Sequence, residues 1–219
     1  SYSVTGVQTC ALPIFALMLP AAAVAQHQAP RFTKEQILTH DRQEVKVDDF
    51  PASGLILDIG GGGEGVIAQL KGQQVVAIDP IARELKEASG HPLLQIVMDA
   101  TDLKFLDASF STVTSFFTLM YIPLDKQAKV FQEAARVLKP GGRFHIWDVD
   151  IPAKPDPVHE VVVYRFLFKL PGFDVSTGYG TLFADKPRTP AFYAGLAQSA
   201  GFRILSETRQ GDTFAIVVE

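Results

Sequence analysis

The sequence predicts an α/β fold: a doubly wound, mostly parallel, seven-stranded sheet with helices on both faces and an antiparallel last strand. Two patterns predict those layers. Between residues 54 and 149, short continuous apolar runs alternate with helical patterns, and continuous apolarity suits strands buried on both faces. At the chain end, two strand-like runs flank Gly211-Asp212, a hairpin signal that reverses the last strand against its neighbour.

The 219 residues are 47% hydrophobic and 20% charged, which suits one large core rather than a disordered or membrane-spanning chain. A net charge of −4 is not the basic footprint that neutralises phosphates, so no nucleic-acid partner is expected. Cys10 is the only cysteine, which excludes an intrachain disulfide or a thiolate metal cluster. The five histidines are scattered without ligand spacing, so no metal is expected.

Residues 1–29 stand apart. Residues 4–14, VTGVQTCALPI, resemble an in-frame translation of a sequencing adapter, as in an open reading frame assembled from a metagenome. Residues 15–25 are apolar, uncharged and rich in small residues, and end in Ala23-Val24-Ala25 before Gln26. That pattern predicts the remnant of a secretory signal peptide and a periplasmic or secreted protein, with no stable membrane insertion of the mature chain. The alternative is a cytoplasmic enzyme with an N-terminal extension.

The expected domain then covers residues 30–219. Thr33 caps a helix over 34–42. Strands follow at 54–59, 74–78, 94–97, 113–117 and 143–149, with helices at 65–70, 81–88 and 126–138 between them. In the last of these helices Ala128, Phe131, Ala135 and Leu138 share a face, and Pro140-Gly141-Gly142 stops it. Thr189-Pro190 starts a helix over 191–200 that Gly201 ends. Strands at 202–208 and 213–218 complete the seven. Residues 151–188 are broken by prolines and too long for a plain connector, so they are expected to form a lid or substrate wall. Gly178-Tyr179-Gly180-Thr181 is its expected flexible loop, with Tyr179 reaching the pocket or lying on an irregular surface.

The chemistry concentrates at 55–65, LILDIGGGGEG. A buried strand ends in an acid, and glycines then let the backbone approach a ligand at a helix start. Gly60, Gly62 and Gly65 satisfy G-x-G-x-x-G, which by itself also fits a tight turn without a ligand. Asp79 ends the next strand about twenty residues on, where a carboxylate can hold both ribose hydroxyls.

With Asp58-Ile59-Gly60-Gly61-Gly62 and Asp79, the segments Met98-Asp99-Ala100, Phe110 to Ile122 and RVLKPGGR at 136–143 resemble class I S-adenosylmethionine-dependent methyltransferases with a type 11-like domain. The likeness covers roughly residues 53–150 and implies a Rossmann-like fold. Dinucleotide dehydrogenases share the glycine loop and the ribose acid but not the 136–143 string. The resemblance implies S-adenosyl-L-methionine as cofactor. Gly60, Gly61 and Gly62 would shape the loop under the methionine part, with Asp58 near its amino group. Asp79 would hold the ribose, and Ile78 and Pro80 would flank the adenine. Asp99 would accept from the adenine amino group and the Ala100 amide would donate to the ring. Phe117 and Thr118 would lie beside the transferable methyl. Three positions depart from the family pattern: Glu64 in place of a third glycine or a small residue, Ser111 in place of a frequent acid, and Met120-Tyr121 in place of a frequent histidine pair.

Catalytic candidates are Tyr121, Asp148 and Tyr179. Asp148, at the carboxyl end of a strand, either orients substrate or caps a turn. Tyr121 either touches substrate or packs. His145, by alternation from Asp148, faces the opposite side of the sheet. The expected activity is methyl transfer to a small-molecule acceptor. A non-catalytic S-adenosyl-nucleoside binder and an NAD(P)-dependent reductase are the alternatives.

Overall fold

The computed structural model describes residues 32–184 and 186–219. The adapter-like stretch, the signal-peptide remnant and Cys10 lie outside the described residues. Among those described, no helix is long and apolar enough to cross a membrane.

The expected helix over 34–42 does not form. One 3-10 turn at Lys34–Gln36, with Thr33 in a capping box, leads into strands β1 (Ile37–Thr39) and β2 (Gln43–Lys46). A short isolated helix gains little, whereas both strands find a partner ladder far along the chain and bury Val45.

The expected α/β layers follow: β3 (Ile56–Ile59), α1 (Val66–Lys71), β4 (Val75–Asp79), α2 (Ala82–Glu87), β5 (Leu94–Val97), β6 (Phe110–Phe116), α3 (Leu124–Val137) and β7 (Leu138–Val149). Every residue of β3 is buried, as a strand covered on both faces requires. The 151–188 segment then contributes two long strands, β8 (Val161–Leu170) and β9 (Phe173–Leu182). Helix α4 (Pro190–Ser199) starts where Thr189 accepts the Phe192 amide at 3.3 Å, and β10 (Ile204–Gln210) and β11 (Thr213–Val218) close the chain.

The main sheet runs β10-β11-β7-β6-β3-β4-β5, and β11 is the one strand antiparallel to both neighbours. One face packs α3 and α4 over Leu57, Val113, Phe144 and Ile216. The other carries α1 and Leu85 of α2. The same face also takes a second, four-stranded sheet: β8 at its centre, β1 and β2 in parallel on one side, β9 antiparallel on the other. Alternate residues of β8, Val162, Tyr164, Phe166, Phe168 and Leu170, are buried against the main sheet, the period expected of a strand with one covered face. The expected flexible loop at 178–181 is therefore a correction: these residues belong to β9, and Tyr179 is 4% exposed.

Candidate functional site

Strand order reverses at β3, whose parallel neighbours β4 and β6 lead toward opposite edges of the sheet, so a crevice opens at its carboxyl end. The glycine loop fills that crevice. Gly60 and Gly61 amides both donate to the Ile78 carbonyl, at 2.8 and 3.0 Å, and the Gly63 amide donates to the Glu84 carbonyl at 3.1 Å. Gly60 has φ +73°, and a Cβ there would sit 2.2 Å from the Thr118 hydroxyl, so the strand-end residue rests directly on the loop. A Cβ on Gly62 would come within 3.0 Å of Asp79 Oδ2 and 2.6 Å of Glu84 Cβ.

Asp79 accepts the Ile81 amide at 2.7 Å through Oδ1, and Oδ2 faces Gly62. Burial pushes its carboxyl up to about 6, restrained by that amide and assisted by the Glu84 charge. Asp58 lies behind the loop, 2% exposed, and accepts the Thr114 hydroxyl at 2.7 Å. Burial pushes it up to about 7. Pro80 is exposed beside Asp79, whereas Ile78, assigned to the adenine by resemblance, is buried in the core beneath α3. Asp99 Oδ1 accepts both the amide and the hydroxyl of Thr101, at 2.8 and 2.7 Å, and Ala100 is buried next to it. The Met98 amide donates to the Asp79 carbonyl at 3.1 Å, which brings these two acidic strand ends side by side.

At the end of β6, Phe117 takes φ +52°, a left-handed conformation costly for an aromatic residue. The Trp147 carbonyl holds its amide at 2.8 Å, and its ring stacks on Tyr179 at 5.0 Å. The turn that follows, Leu119–Tyr121, is clamped from three elements. Asp148 Oδ2 accepts the Met120 amide at 3.1 Å, Arg188 donates to the Met120 carbonyl at 3.0 Å, and Gln127 donates to the Leu119 and Ile122 carbonyls at 2.9 and 3.0 Å. Asp148 is fully buried, its other oxygen takes the Val149 amide at 2.8 Å, and burial pushes its carboxyl up to about 7 against those amides. Of its two expected roles, this geometry is the capping one. His145 is buried against Phe50 and Trp147, on the face opposite Asp148.

Tyr179 OH donates to Glu64 Oε2 at 3.2 Å and the Thr177 hydroxyl donates to Glu64 Oε1, so β9 is tied to the glycine loop. The Tyr121 hydroxyl is buried near this carboxylate without a hydrogen-bond partner. Thr177 and Arg188 escaped the sequence reading. No local pattern marks either, because each reaches its partner across more than sixty residues of chain. Glu64 carried a signal, as the departure from the glycine pattern.

The doubly wound sheet, with a glycine loop and strand-end acids at its switch point, defines an α/β protein of the nucleotide-cofactor-binding class. A sequence profile described as "Methyltransferase domain" matches residues 57–146. Ubiquinone/menaquinone biosynthesis C-methyltransferase UbiE of Desulfotalea psychrophila is 34% identical over 130 residues, 55% of this chain and 51% of that protein. The S-adenosyl-L-methionine-dependent Diels-Alderase iccD of Talaromyces variabilis is 31% identical over 163 residues, 70% of this chain and 54% of that one. The chain thus spans about half the length of these curated relatives. A crystal structure of a Pyrococcus horikoshii protein has the same fold, with TM-score 0.54 and 21% identity over 76% of this chain and 82% of its own. So has an S-adenosylmethionine-dependent methyltransferase of Mesorhizobium loti, with TM-score 0.53 and 15% identity over 77% and 93%. Over residues 57–146 the chain matches the methyltransferase-domain profile, and the proteins it is similar to include an S-adenosyl-L-methionine-dependent enzyme.

Proposed function

We propose that this protein binds S-adenosylmethionine on the glycine loop and transfers its methyl group to a small-molecule acceptor held between the carboxyl end of β6 and the β8–β9 hairpin. The supporting observation is the approach of Gly62 to the second oxygen of Asp79, which leaves backbone and carboxylate on one side of the crevice. The residues suit the group. Asp79 retains a carboxylate oxygen for a ribose diol, Asp99 retains one for an adenine amino group, and Gly60, Gly61 and Gly62 keep side chains out of the methionine's path. Asp58 backs the loop, Pro80 and the Ala100 amide border the adenine, and Phe117 and Thr118 stand at the methyl end.

When bound, the cofactor supplies an already activated methyl on a sulfonium. The protein's work is to align an acceptor and exclude water, which can lower a barrier by up to ~7–11 kcal/mol. The hairpin's aromatic face serves the exclusion. A second reading rests on the match to a Diels-Alderase that covers 70% of this chain: a cycloaddition transfers no methyl, and the cofactor would be retained.

Calorimetry with S-adenosylmethionine, S-adenosylhomocysteine and NADH tests the assignment. Binding of the first two without NADH is expected, and NADH binding without S-adenosylhomocysteine binding would sink it. Recovery of labelled methyl in an acceptor separates transfer from retention.

A further inference from the structure

Glu64 sits two residues past Gly62, on the loop proposed to hold the methionine part. Its carboxylate takes part in none of the ion pairs among the described residues. Its hydrogen-bond partners through Oε1 and Oε2 are neutral hydroxyls, those of Thr177 and Tyr179. A carboxylate accepts about four hydrogen bonds, so accepting capacity remains and neither hydroxyl partner brings a compensating charge. The group is also fixed in place: Tyr179 is 4% exposed and stacks on Phe117 with the rings 9° from parallel. The buried, unpartnered Tyr121 hydroxyl, on the turn after β6, lies near enough to feel the same carboxylate. Three elements therefore converge on one uncompensated anion, walled by aromatic rings, at the end of the crevice where Phe117 and Thr118 lie.

We infer that Glu64, held by Thr177 and Tyr179, is the receiving group for the positive charge of the cofactor's sulfonium, and so makes this protein prefer S-adenosylmethionine over its demethylated product. The inference rests on the proposed cofactor site. Methyl transfer breaks the sulfur–methyl bond and leaves its electron pair on sulfur. The methyl carbon bonds to the acceptor's own pair, and any acceptor proton leaves to solvent. The sulfur is then a neutral thioether, so an anion beside it favours the cofactor before transfer and gains nothing from the product. Aromatic faces add to the preference for a cation.

The test is calorimetry of both ligands with the parent, Glu64→Gln and Thr177→Val. Glu64→Gln keeps size and hydrogen bonding and removes charge. It should weaken S-adenosylmethionine about tenfold and S-adenosylhomocysteine less than twofold. Thr177→Val keeps the charge and should leave the ratio of the two affinities within about twofold of the parent. An equal loss for both ligands in Glu64→Gln would place Glu64 on a group they share, such as the ammonium, and overturn the inference. An unchanged S-adenosylmethionine affinity would also overturn it, as would a Thr177→Val ratio shift as large as that of Glu64→Gln. If the parent binds neither ligand, the cofactor site itself fails and this inference falls with it. If the parent binds both and only the ratio test fails, the cofactor site stands.

Discussion

The Tyr179 hydroxyl donates to the Glu64 carboxylate across 3.2 Å, and this bond joins a strand of the second sheet to the glycine loop of the first. The two residues are 115 positions apart in the chain. Replacing Tyr179 with Phe removes the bond and keeps the ring stacked on Phe117. A loss of ~0.5–1.5 kcal/mol in unfolding free energy is expected, measured by urea denaturation.

Asp79→Ala should remove two charge-assisted hydrogen bonds to the ribose, each worth ~1.5–3 kcal/mol, and weaken S-adenosylhomocysteine at least about tenfold. Parent-like affinity in that variant would show the ribose to lie elsewhere. Burial lifts the Asp79 carboxyl to about 6, so in the parent affinity should also fall as pH drops through that value and the acceptor is protonated. In a series of titrations from pH 8 to pH 5, a flat profile would contradict this assignment.

Asp58 makes stability itself pH-dependent. Its carboxyl is raised from 3.8 to about 7 in the folded protein, so the native state holds the proton more tightly than the unfolded chain. The favourable contribution is complete below about pH 4 and is lost as pH rises toward 7. Asp58→Asn lacks this loss and can still accept from Thr114. Its melting temperature relative to the parent should therefore climb between pH 4 and pH 8. A constant difference across that range would show that Asp58 is ionised throughout.

Gly60→Ala should destabilise the fold by more than ~1 kcal/mol, because the new Cβ would meet Thr118 at 2.2 Å in a backbone conformation with φ +73°. The same variant should lose cofactor binding. Alanine at Gly195, inside α4 where a Cβ would meet nothing within 4 Å, should leave cofactor binding unchanged and stabilise the fold by ~0.5–1 kcal/mol, and serves as the control.

No one side chain is expected to act as an indispensable base. Asp148 spends both oxygens on backbone amides, and the Tyr121 hydroxyl is driven well above its ordinary value by burial and by the charges of Glu64 and Asp148. Once an acceptor is identified, Tyr121→Phe, Asp148→Asn and Tyr179→Phe should each retain turnover. A placed general base typically supplies about 10²–10⁴-fold. A loss in kcat beyond roughly 10⁴-fold with cofactor binding intact would identify one of them as that base.

The alternation of buried runs and helices, the glycine loop with Asp58 and Asp79, and the reversed last strand were legible in the sequence. Each depends on neighbours within a few residues: β3 is apolar on both faces, Gly60 must adopt positive φ, and Gly211-Asp212 must turn. The second sheet was not legible. Residues 34–42 read as helix in isolation, and Gly178 and Gly180 read as loop, because local propensity disfavours glycine in a strand. Pairing over long distance decides otherwise. Ile37 aligns with Val161 and Tyr164 with Tyr179, and the ladder together with the burial of the aromatic face outweighs those propensities. The same holds at the site. The sequence marks Glu64 as unusual and Asp148 as a strand-end acid. Only the packing of β9 and Arg188 against the turn at 119–121 decides that Glu64 faces two hydroxyls while Asp148 holds backbone, since no short-range rule brings together groups so far apart along the chain.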